Sequence, residues 1–255
     1  MKYVKACTLS ALFLLNSPAF AESGDPTEQT STQPPLEVIN SQDPYESFNR
    51  DMFEFNMSFN ENVGQPVAQA YNFYVPAPVR GGVDNFFNNL AVPLSSLNSF
   101  LQGNFEDGFS GIMRFVINST FGLFGILDIA TPAGLEDKKE DFGQTMAKWG
   151  VWQQSNYLVL PVIGPYTTRE LVGGSVDSLY NPVYPYLIET DDVGKLLIFA
   201  VDKFIDYAAV SKLFDELKTQ PDPYIFARES YIQYRTNLIY DGHPPQPSLD
   251  DFNFD

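Results

Sequence analysis

The 255-residue sequence predicts an all-α protein built as a single multi-helix domain. Apolar residues recur at intervals of three and four in five segments, and this spacing places side chains on one face of an α-helix. Strand-like alternation is scarce: the best candidate runs over residues 157–163, where Pro161 interrupts it. A helical fold therefore accounts for most of the chain.

The chain begins with a predicted export signal. Lys2 and Lys5 form a positive n-region, residues 6–15 form an apolar stretch, and a small-residue cleavage site ends at Ala21. The apolar stretch is too short to anchor stably in a bilayer. We therefore expect residues 1–21 to be a signal peptide that is removed on export.

Cys7 is the only cysteine of the chain, and it lies inside this signal. The exported protein is then expected to have no disulfide. Cys7 can also be interpreted as a lipid-attachment cysteine. Against that, only six residues precede it, and Lys5 stands where a small apolar residue is wanted.

The net charge is −17, and removal of Lys2 and Lys5 makes it more negative still. A strongly acidic chain is repelled by nucleic acid and has no basic surface for anionic lipid. We therefore expect no nucleic-acid partner.

Composition divides the exported chain into three parts. Residues 22–42 are rich in Ser, Thr, Gln and Pro, which is typical of a flexible leader. Residues 241–255 contain several prolines and aspartates and are predicted to form a disordered acidic tail. Residues 43–240 lie between them and form one helical domain without an internal repeat.

The first helix is predicted to begin at an Asp-Pro motif. Asp43 can cap the helix, Pro44 fits its first turn, and Glu46 can reach back to the cap. The apolar residues that follow form one helix face: Phe48, Met52, Phe55 and Phe59.

Four further segments repeat the helical spacing. They cover residues 83–90, 105–116 behind a possible Asn104 cap, 193–208, and a last helix that begins at Asp222-Pro223.

Residues 112–130 depart from an ordinary amphipathic pattern because they are almost continuously apolar. Arg114, Asn118 and Asp128 interrupt the apolar run. Gly122 and Gly125 would break a continuous helix. The segment is a poor transmembrane span, but it fits an apolar helical hairpin lying in one membrane leaflet. A hairpin buried in a soluble core is an equally good interpretation of the sequence alone.

The sequence offers no evident catalytic or metal site. Its one histidine, His243, lies in the proline-rich tail, and no nucleophile-elbow or P-loop motif is present. The densest group of carboxylates falls within residues 136–141, where Lys138 and Lys139 interleave with them, and this indicates a charged loop. We expect no enzymatic activity, no cofactor and no metal.

Six short motifs follow one another between residues 43 and 240. They are Asp43-Pro44-Tyr45-Glu46-Ser47-Phe48-Asn49-Arg50; Tyr74-Val75-Pro76 with Arg80; Arg114-Phe115 with Asn118; Phe142-Gly143-Gln144-Thr145 with Gly150; Tyr157-Leu158-Val159-Leu160-Pro161 with Gly164-Pro165 and Arg169-Glu170; and Asp222-Pro223-Tyr224 with Arg228. Together and in this order they resemble the MlaA (VacJ) family of outer-membrane phospholipid-transport lipoproteins.

The resemblance implies a ring-like helical domain in the inner leaflet of the outer membrane, on the periplasmic side, with an amphipathic channel. Phospholipid misplaced in the outer leaflet would enter this channel and pass to a soluble periplasmic carrier (MlaC-like). A trimeric outer-membrane porin would hold the ring. No cofactor is implied.

The apolar segment supplies the candidates for contact with lipid tails. We expect six residues to face the membrane: Phe121, Leu123, Phe124, Ile126, Leu127 and Ile129.

The family-motif residues are expected to be structural. Asp43, Pro44 and Glu46 would cap a helix, Gly143, Gly150 and Gly164 would allow tight turns, and Arg50, Arg114 and Arg169 would pair with carboxylates. The same group includes Asn49, Asn118, Asp222 and Pro223.

One departure from the family concerns the anchor. Family members are usually lipoproteins with an acylated cysteine just after the signal, whereas the residue that follows the predicted cleavage site here is Glu22, and no cysteine follows it. The alternative is a soluble periplasmic lipid-binding or interaction module, which would expose no continuous apolar belt.

Overall fold

The computed structural model describes residues 43–152, 155–180 and 192–245. The predicted signal peptide (1–21), the predicted leader (22–42) and the last ten residues of the predicted tail lie outside these ranges and stay predictions.

Helices dominate the described residues, as predicted. The α-helices are α1 Glu46–Phe59, α2 Gln65–Tyr74, α3 Ala77–Leu101, α4 Phe105–Thr120, α5 Phe142–Lys148, α6 Thr168–Tyr180, α7 Asp192–Val210, α8 Leu213–Leu217 and α9 Pro223–Ile239. One β-hairpin is present in the described part of the chain, with strands β1 Tyr157–Leu160 and β2 Gly164–Thr167. The all-α fold class is confirmed.

A π-helical turn, Asn60–Gly64, joins α1 to α2 without a break in the helical backbone. The Gln65 amide donates to the Asn60 carbonyl, which closes the wider i→i+5 ring of a π-helix. Pro66 follows directly, and since proline has no amide hydrogen it cannot donate to the carbonyl of Asn62. The wide turn therefore lies where proline interrupts the α-helical hydrogen-bond pattern.

Helices α3 and α4 form the most extensively packed pair of elements in the fold. The Asn104 side chain accepts a hydrogen bond from the Asp107 amide at 3.3 Å, as the predicted cap requires. The helices run antiparallel, and Gly111 of α4 faces Ser96 of α3 so closely that a Cβ there would collide with the serine hydroxyl. The absence of a side chain at Gly111 thus allows the two helices to pack closely.

The apolar segment at residues 112–130 does not form a helical hairpin by itself. Helix α4 ends at Thr120, and residues 121–134 continue mainly as consecutive turns. The helical hairpin of this region is therefore formed by α3 and α4, and the apolar turn segment follows it. No helix in the described ranges combines the length and apolarity needed to cross a membrane.

A small core lies where α1, β1 and α9 meet. Tyr157, Val159 and Tyr224 are buried there, and further apolar residues pack around them: Met52, Phe53, Ile225, Tyr231 and Ile232. Strand β1 falls within the single predicted strand segment, whereas β2 was missed. It pairs with β1 in antiparallel register, with Tyr157 opposite Thr167.

The start of α1 differs from the prediction. The helix begins at Glu46, and the Asp43 side chain accepts from the Tyr45 amide at 3.0 Å in the preceding turn instead of capping the helix. Glu46 pairs with Arg50 at 2.8 Å. The start of α9 matches the prediction, because Asp222 accepts from the Ile225 amide at 3.1 Å and Pro223 is the first helical residue.

Candidate functional site

A continuous set of large apolar side chains lies exposed on α4 and on the turn segment behind it. The residues on the helix are Phe105, Phe109, Ile112, Met113 and Val116. All six residues that were predicted to face a membrane are exposed, by 40% to 77% of their surface. We call these eleven residues together the α4 face.

The α4 face carries no exposed charge from Phe109 onwards. The charged residues between Phe109 and Ile129 are Arg114, which is buried, and Asp128, which is half-buried. Large apolar patches of this kind mark contact with lipid or with another protein. A hairpin in a soluble core would bury these side chains, and here they are exposed.

The turn segment has an unusual backbone at its tip. Leu123, Phe124 and Gly125 all have positive φ angles, of 54°, 59° and 93°. The left-handed conformation costs roughly 1–2 kcal/mol for a residue with a side chain. The two non-glycine residues in it are also among the most exposed of the α4 face, at 61% and 77%. The fold thus maintains an unfavourable backbone conformation in which two apolar side chains stay outside.

Asn118, a predicted structural residue, holds the two ends of this turn segment together. Its side-chain oxygen accepts from the amides of Ile129 at 2.8 Å and Ala130 at 2.9 Å, and its carbonyl accepts from Gly125 at 2.9 Å. Its amide group donates to Asp128 at 3.1 Å. One buried side chain therefore fixes where the exposed turn begins and returns.

Arg114 supports the same segment from beneath. It is 5% exposed, donates to Thr131 Oγ1 at 3.0 Å and to the Leu135 carbonyl, and lies 3.5 Å from Asp128. The structure thus brings Arg114 to a carboxylate, as predicted. Burial acts to raise the pKa of Asp128, but hydrogen bonds from Thr131 and Asn118 and the charge of Arg114 lower it overall.

Arg50, on α1, pairs with the start of α9. Its guanidinium donates to the two oxygens of Asp222 at 3.3 Å and 3.0 Å, and its centre lies 4.4 Å from the ring centroid of Tyr224. The predicted pairing of Arg50 with carboxylates is thus present, and it links α1 to α9.

A second contact runs in the opposite direction between the same two helix starts. Asp43 precedes α1 and accepts a hydrogen bond from the hydroxyl of Tyr224, while Arg228 of α9 lies 3.9 Å from it. Both helices are introduced by Asp-Pro-Tyr, and each aspartate meets an arginine of the other helix. The sequence motif was evident, but the reciprocal pairing was missed because it depends on how the helices cross.

Two asparagines of α1 cover the outer edge of β1. Asn49 donates to the Tyr157 carbonyl at 3.1 Å and accepts from the Val159 amide at 2.8 Å. Asn56 makes the same pair of contacts at the end of β1, where it donates to the Leu160 carbonyl at 2.9 Å and accepts from the Val162 amide in the following turn. The structural role predicted for Asn49 is thus to pair with the backbone of β1. The equivalent role of Asn56 was not predicted.

The charged loop at residues 136–141 is exposed over its first four residues and half-buried at Glu140 and Asp141. Asp141 caps α5, and Arg235 donates to its two oxygens at 2.8 Å and 3.1 Å. Arg235 also pairs with Glu170, which accepts from the Tyr231 hydroxyl at 2.6 Å. Burial acts to raise the pKa of Asp141, and the charge of Arg235 reverses this, so that the pKa is lowered.

Glu140 lies next to this network, beside a cavity of about 150 Å³ between α3 and residues 137–141. It accepts a hydrogen bond from Gln102 at 2.8 Å. Burial raises the pKa of Glu140 to about 7, because no cation lies close enough to compensate its charge fully.

The three predicted turn glycines divide into two groups. Gly150 and Gly164 have φ angles of 69° and 103° and allow turns, as predicted. Gly143 instead lies inside α5, and a Cβ on the facing Gly173 of α6 would collide with its backbone. The prediction of a tight turn at Gly143 is wrong, because this glycine allows close helix packing.

Arg169 is almost fully buried, at 1% exposure. Its backbone amide donates to Ser155 Oγ at 3.1 Å, and its guanidinium lies 3.5 Å from the Trp152 carbonyl. It thus joins the start of α6 to the chain that leads into β1.

Known proteins are similar to this chain in sequence and in fold. The family model described as "MlaA lipoprotein" matches residues 41–238. The "Intermembrane phospholipid transport system lipoprotein MlaA" of Shigella flexneri is 35% identical over 212 residues, which cover 80% of this chain and 81% of that protein. The protein of the same description from Haemophilus influenzae is 34% identical over 210 residues, covering 81% and 82%.

A solved structure described as "Structural basis for maintenance of bacterial outer membrane lipid asymmetry" matches with a TM-score of 0.67 and 33% identity. The match covers 79% of this chain and 99% of the solved one. Sequence and fold agree over the helical domain, and the chain belongs to the MlaA lipoprotein family.

Proposed function

We propose that this chain is a passive phospholipid channel of the outer membrane. It removes misplaced phospholipid from the outer leaflet, hands it to a soluble periplasmic carrier, and so maintains lipid asymmetry. A trimeric porin holds it on the periplasmic side of that membrane. The descriptions of the S. flexneri and H. influenzae relatives and of the solved structure support the phospholipid substrate.

The α4 face is the observation that carries the proposal. Eleven large apolar side chains lie exposed there, and Arg114 is kept inside by hydrogen bonds instead of reaching the surface. A charge placed in the centre of the hydrocarbon costs about 2.5–3.5 kcal/mol on insertion scales. From Phe109 onwards the α4 face carries no exposed charge, so this part of it avoids the cost and suits immersion in acyl chains.

The alternative is a soluble periplasmic lipid-binding or interaction module. The acidic surface is compatible with this alternative as well, since exposed carboxylates occur on α1 and α8. The α4 face argues against it, because water would have to cover the exposed Phe109 and Phe124, which are 62% and 77% exposed. Release of the protein with the soluble periplasm would favour this alternative.

Transport is tested by deleting the gene and measuring phospholipid in the outer leaflet. The proposal expects outer-leaflet phospholipid to rise and to fall again when the intact gene is returned. An unchanged outer leaflet in a strain without a second copy of the gene would contradict the proposal.

Membrane contact is tested by Leu123→Asp. Since Leu123 is exposed, a carboxylate there leaves the core intact but meets hydrocarbon, and we expect a several-fold loss of protein from the outer-membrane fraction after an alkaline wash. Ala133→Asp is the matched control, because Ala133 is exposed beyond the apolar turns. Equal retention of both variants would show that the α4 face does not contact the bilayer.

A further inference from the structure

A second exposed apolar surface follows the continuous helix from α1 to α2. Its residues are Phe48, Phe55, Phe59, Val63, Val67 and Tyr74, and we call them the α1–α2 stripe. Five of them are exposed by 44% to 78% and Phe59 is half-buried. The ring centroids of Phe55 and Phe59 lie 6.4 Å apart with an interplanar angle of 22°, so these two members are stacked.

Each of the first five members of the stripe is followed by a residue that turns inward. These inward residues are Asn49, Asn56, Asn60, Gly64 and Ala68, of which Asn56 is half-buried and the others are buried. The exposed and inward rows therefore run side by side over 20 residues.

The π-helical turn keeps both rows straight. In an α-helix, residues four apart are rotated by about 40°, so three successive steps of four would displace a row by about 120°. The wider i→i+5 turn at Asn60–Gly64 needs more residues per turn, so a step of four there is close to a full turn. Val63 and Val67 consequently stay in line with Phe55 instead of rotating into the core.

Tyr207 of α7 fixes this turn. Its hydroxyl donates to the side-chain oxygen of the buried Asn60, and a Cβ on Gly64 would collide with its ring. Since α7 packs against α2, the inward row holds the helix and the outward row stays uncovered by the described part of the chain.

The α1–α2 stripe differs from the α4 face in its charged flank. Exposed carboxylates accompany it along α1 and the π turn, at Asp51, Glu54 and Glu61. Carboxylates at these positions would be costly if the helix lay among bilayer lipids. The stripe also extends about 39 Å from Phe48 to Tyr74 at 1.5 Å per residue. That is more than twice the hydrocarbon depth of one leaflet, which is about 15 Å.

The geometry points to the α1–α2 stripe as the track along which the acyl chains of a phospholipid in transit move. This inference rests on the proposed phospholipid transport and assigns it a path. An apolar row bordered on one side by carboxylates shelters lipid tails while the neighbouring surface stays hydrated. A row longer than one leaflet can carry the tails beyond the bilayer toward a carrier.

The test compares Val63→Asp with Asn62→Asp in cells that lack the natural gene. Val63 is in the stripe, and the neighbouring Asn62 is an exposed polar residue of the same π turn, so both variants gain one carboxylate there. We expect Val63→Asp to leave outer-leaflet phospholipid as high as in cells without the gene, and Asn62→Asp to restore the wild-type level. Both variants should remain in the outer-membrane fraction after an alkaline wash.

Three outcomes would overturn the inference. Normal clearance by Val63→Asp shows that tails do not use the stripe. Equal failure of Asn62→Asp shows a general effect of charge on the π turn. Loss of Val63→Asp from the membrane, as expected for Leu123→Asp, shows that the stripe faces bilayer lipid. If the wild-type gene itself fails to lower outer-leaflet phospholipid, the proposed function fails instead.

A second measurement does not depend on the folding of the aspartate variants. A photoreactive benzoylphenylalanine at Val67 is expected to cross-link labelled phospholipid in cells, and the same group at Glu61 on the flank is not. Absence of a lipid adduct at Val67, while the same group at Ile112 on the α4 face gives one, would contradict the track.

Discussion

Single asparagine side chains organise several backbone segments that lack a regular partner. Asn49 and Asn56 pair with the edge of β1, and Asn118 closes the turn segment that bears Leu123 and Phe124. The primary amide can donate and accept at once, so one residue satisfies both kinds of backbone group. This explains why asparagine recurs in the motifs of a mostly helical protein in which it is not a strong helix former.

Glu140 gives a residue-scale prediction about pH. Burial raises its pKa to about 7, whereas the unfolded chain has a pKa near 4.5. Between these two pH values the folded protein keeps a proton on Glu140 that the unfolded chain has lost. This contribution to stability is present below about pH 4.5 and is lost as the pH rises through 7. Glu140→Gln removes the titration, and we expect the variant to gain about 1–2 kcal/mol relative to wild type between pH 5 and pH 8, after allowance for partial exposure.

Urea denaturation of both proteins at the two pH values measures this difference. The neighbouring charges are Lys148, which favours the ionised form, and Asp141 and Asp241, which oppose it. A pH-independent difference between wild type and variant would show that the folded-state pKa of Glu140 is not raised into this range.

At the scale of elements, the α3–α4 hairpin depends on the close approach at Gly111. We expect Gly111→Ala to destabilise the protein by about 1–2 kcal/mol, because its Cβ would displace the buried Ser96 hydroxyl from the Val92 carbonyl. Gly81→Ala is the matched control, since a Cβ there meets nothing within 4 Å and alanine favours the helix by up to about 1 kcal/mol. Thermal unfolding should therefore shift in opposite directions for the two variants, and a gain in stability from both would contradict the close packing.

The helices themselves could be predicted from the sequence because their apolar spacing is a local property. The residues 105–116 behind Asn104 and the Asp222-Pro223 start both lie on observed helices. The π turn could not be found in this way, since Pro66 signals an interruption but does not say how the chain accommodates it. Strand β2 was missed because its four residues, Gly164–Thr167, have no strand pattern of their own and depend on pairing with β1.

The candidate site was predictable as a list of apolar residues but not as a surface. Phe121 to Ile129 fit a buried hairpin and an exposed one equally well in sequence. The decision depends on Asn118 and Arg114, whose contacts with the turn segment fix it outside the fold. Only the α1 half of the α1–α2 stripe could be predicted from the sequence. The α2 half lies in line with it because of the π-helical turn, which α-helical spacing does not predict.

At the scale of the whole molecule, buried arginine networks connect elements that are distant in sequence. Arg235 of α9 joins Asp141, which caps α5, to Glu170 of α6, and it is 6% exposed. Arg50 makes a comparable link between α1 and α9, but its side chain is 37% exposed. The two links have the same chemistry and differ mainly in their burial.

This contrast gives the last prediction. Arg235→Met leaves the buried Glu170 and the half-buried Asp141 without their cation, and we expect a loss of about 3–5 kcal/mol in the free energy of unfolding. Arg50→Met leaves Asp222 in water, where loss of a surface pair costs little, so we expect a much smaller loss from this variant. Urea denaturation of both variants at pH 7.5 measures the difference. If Arg235→Met cost no more than Arg50→Met, water would have to reach Glu170, and the junction of α5, α6 and α9 would be open instead of buried.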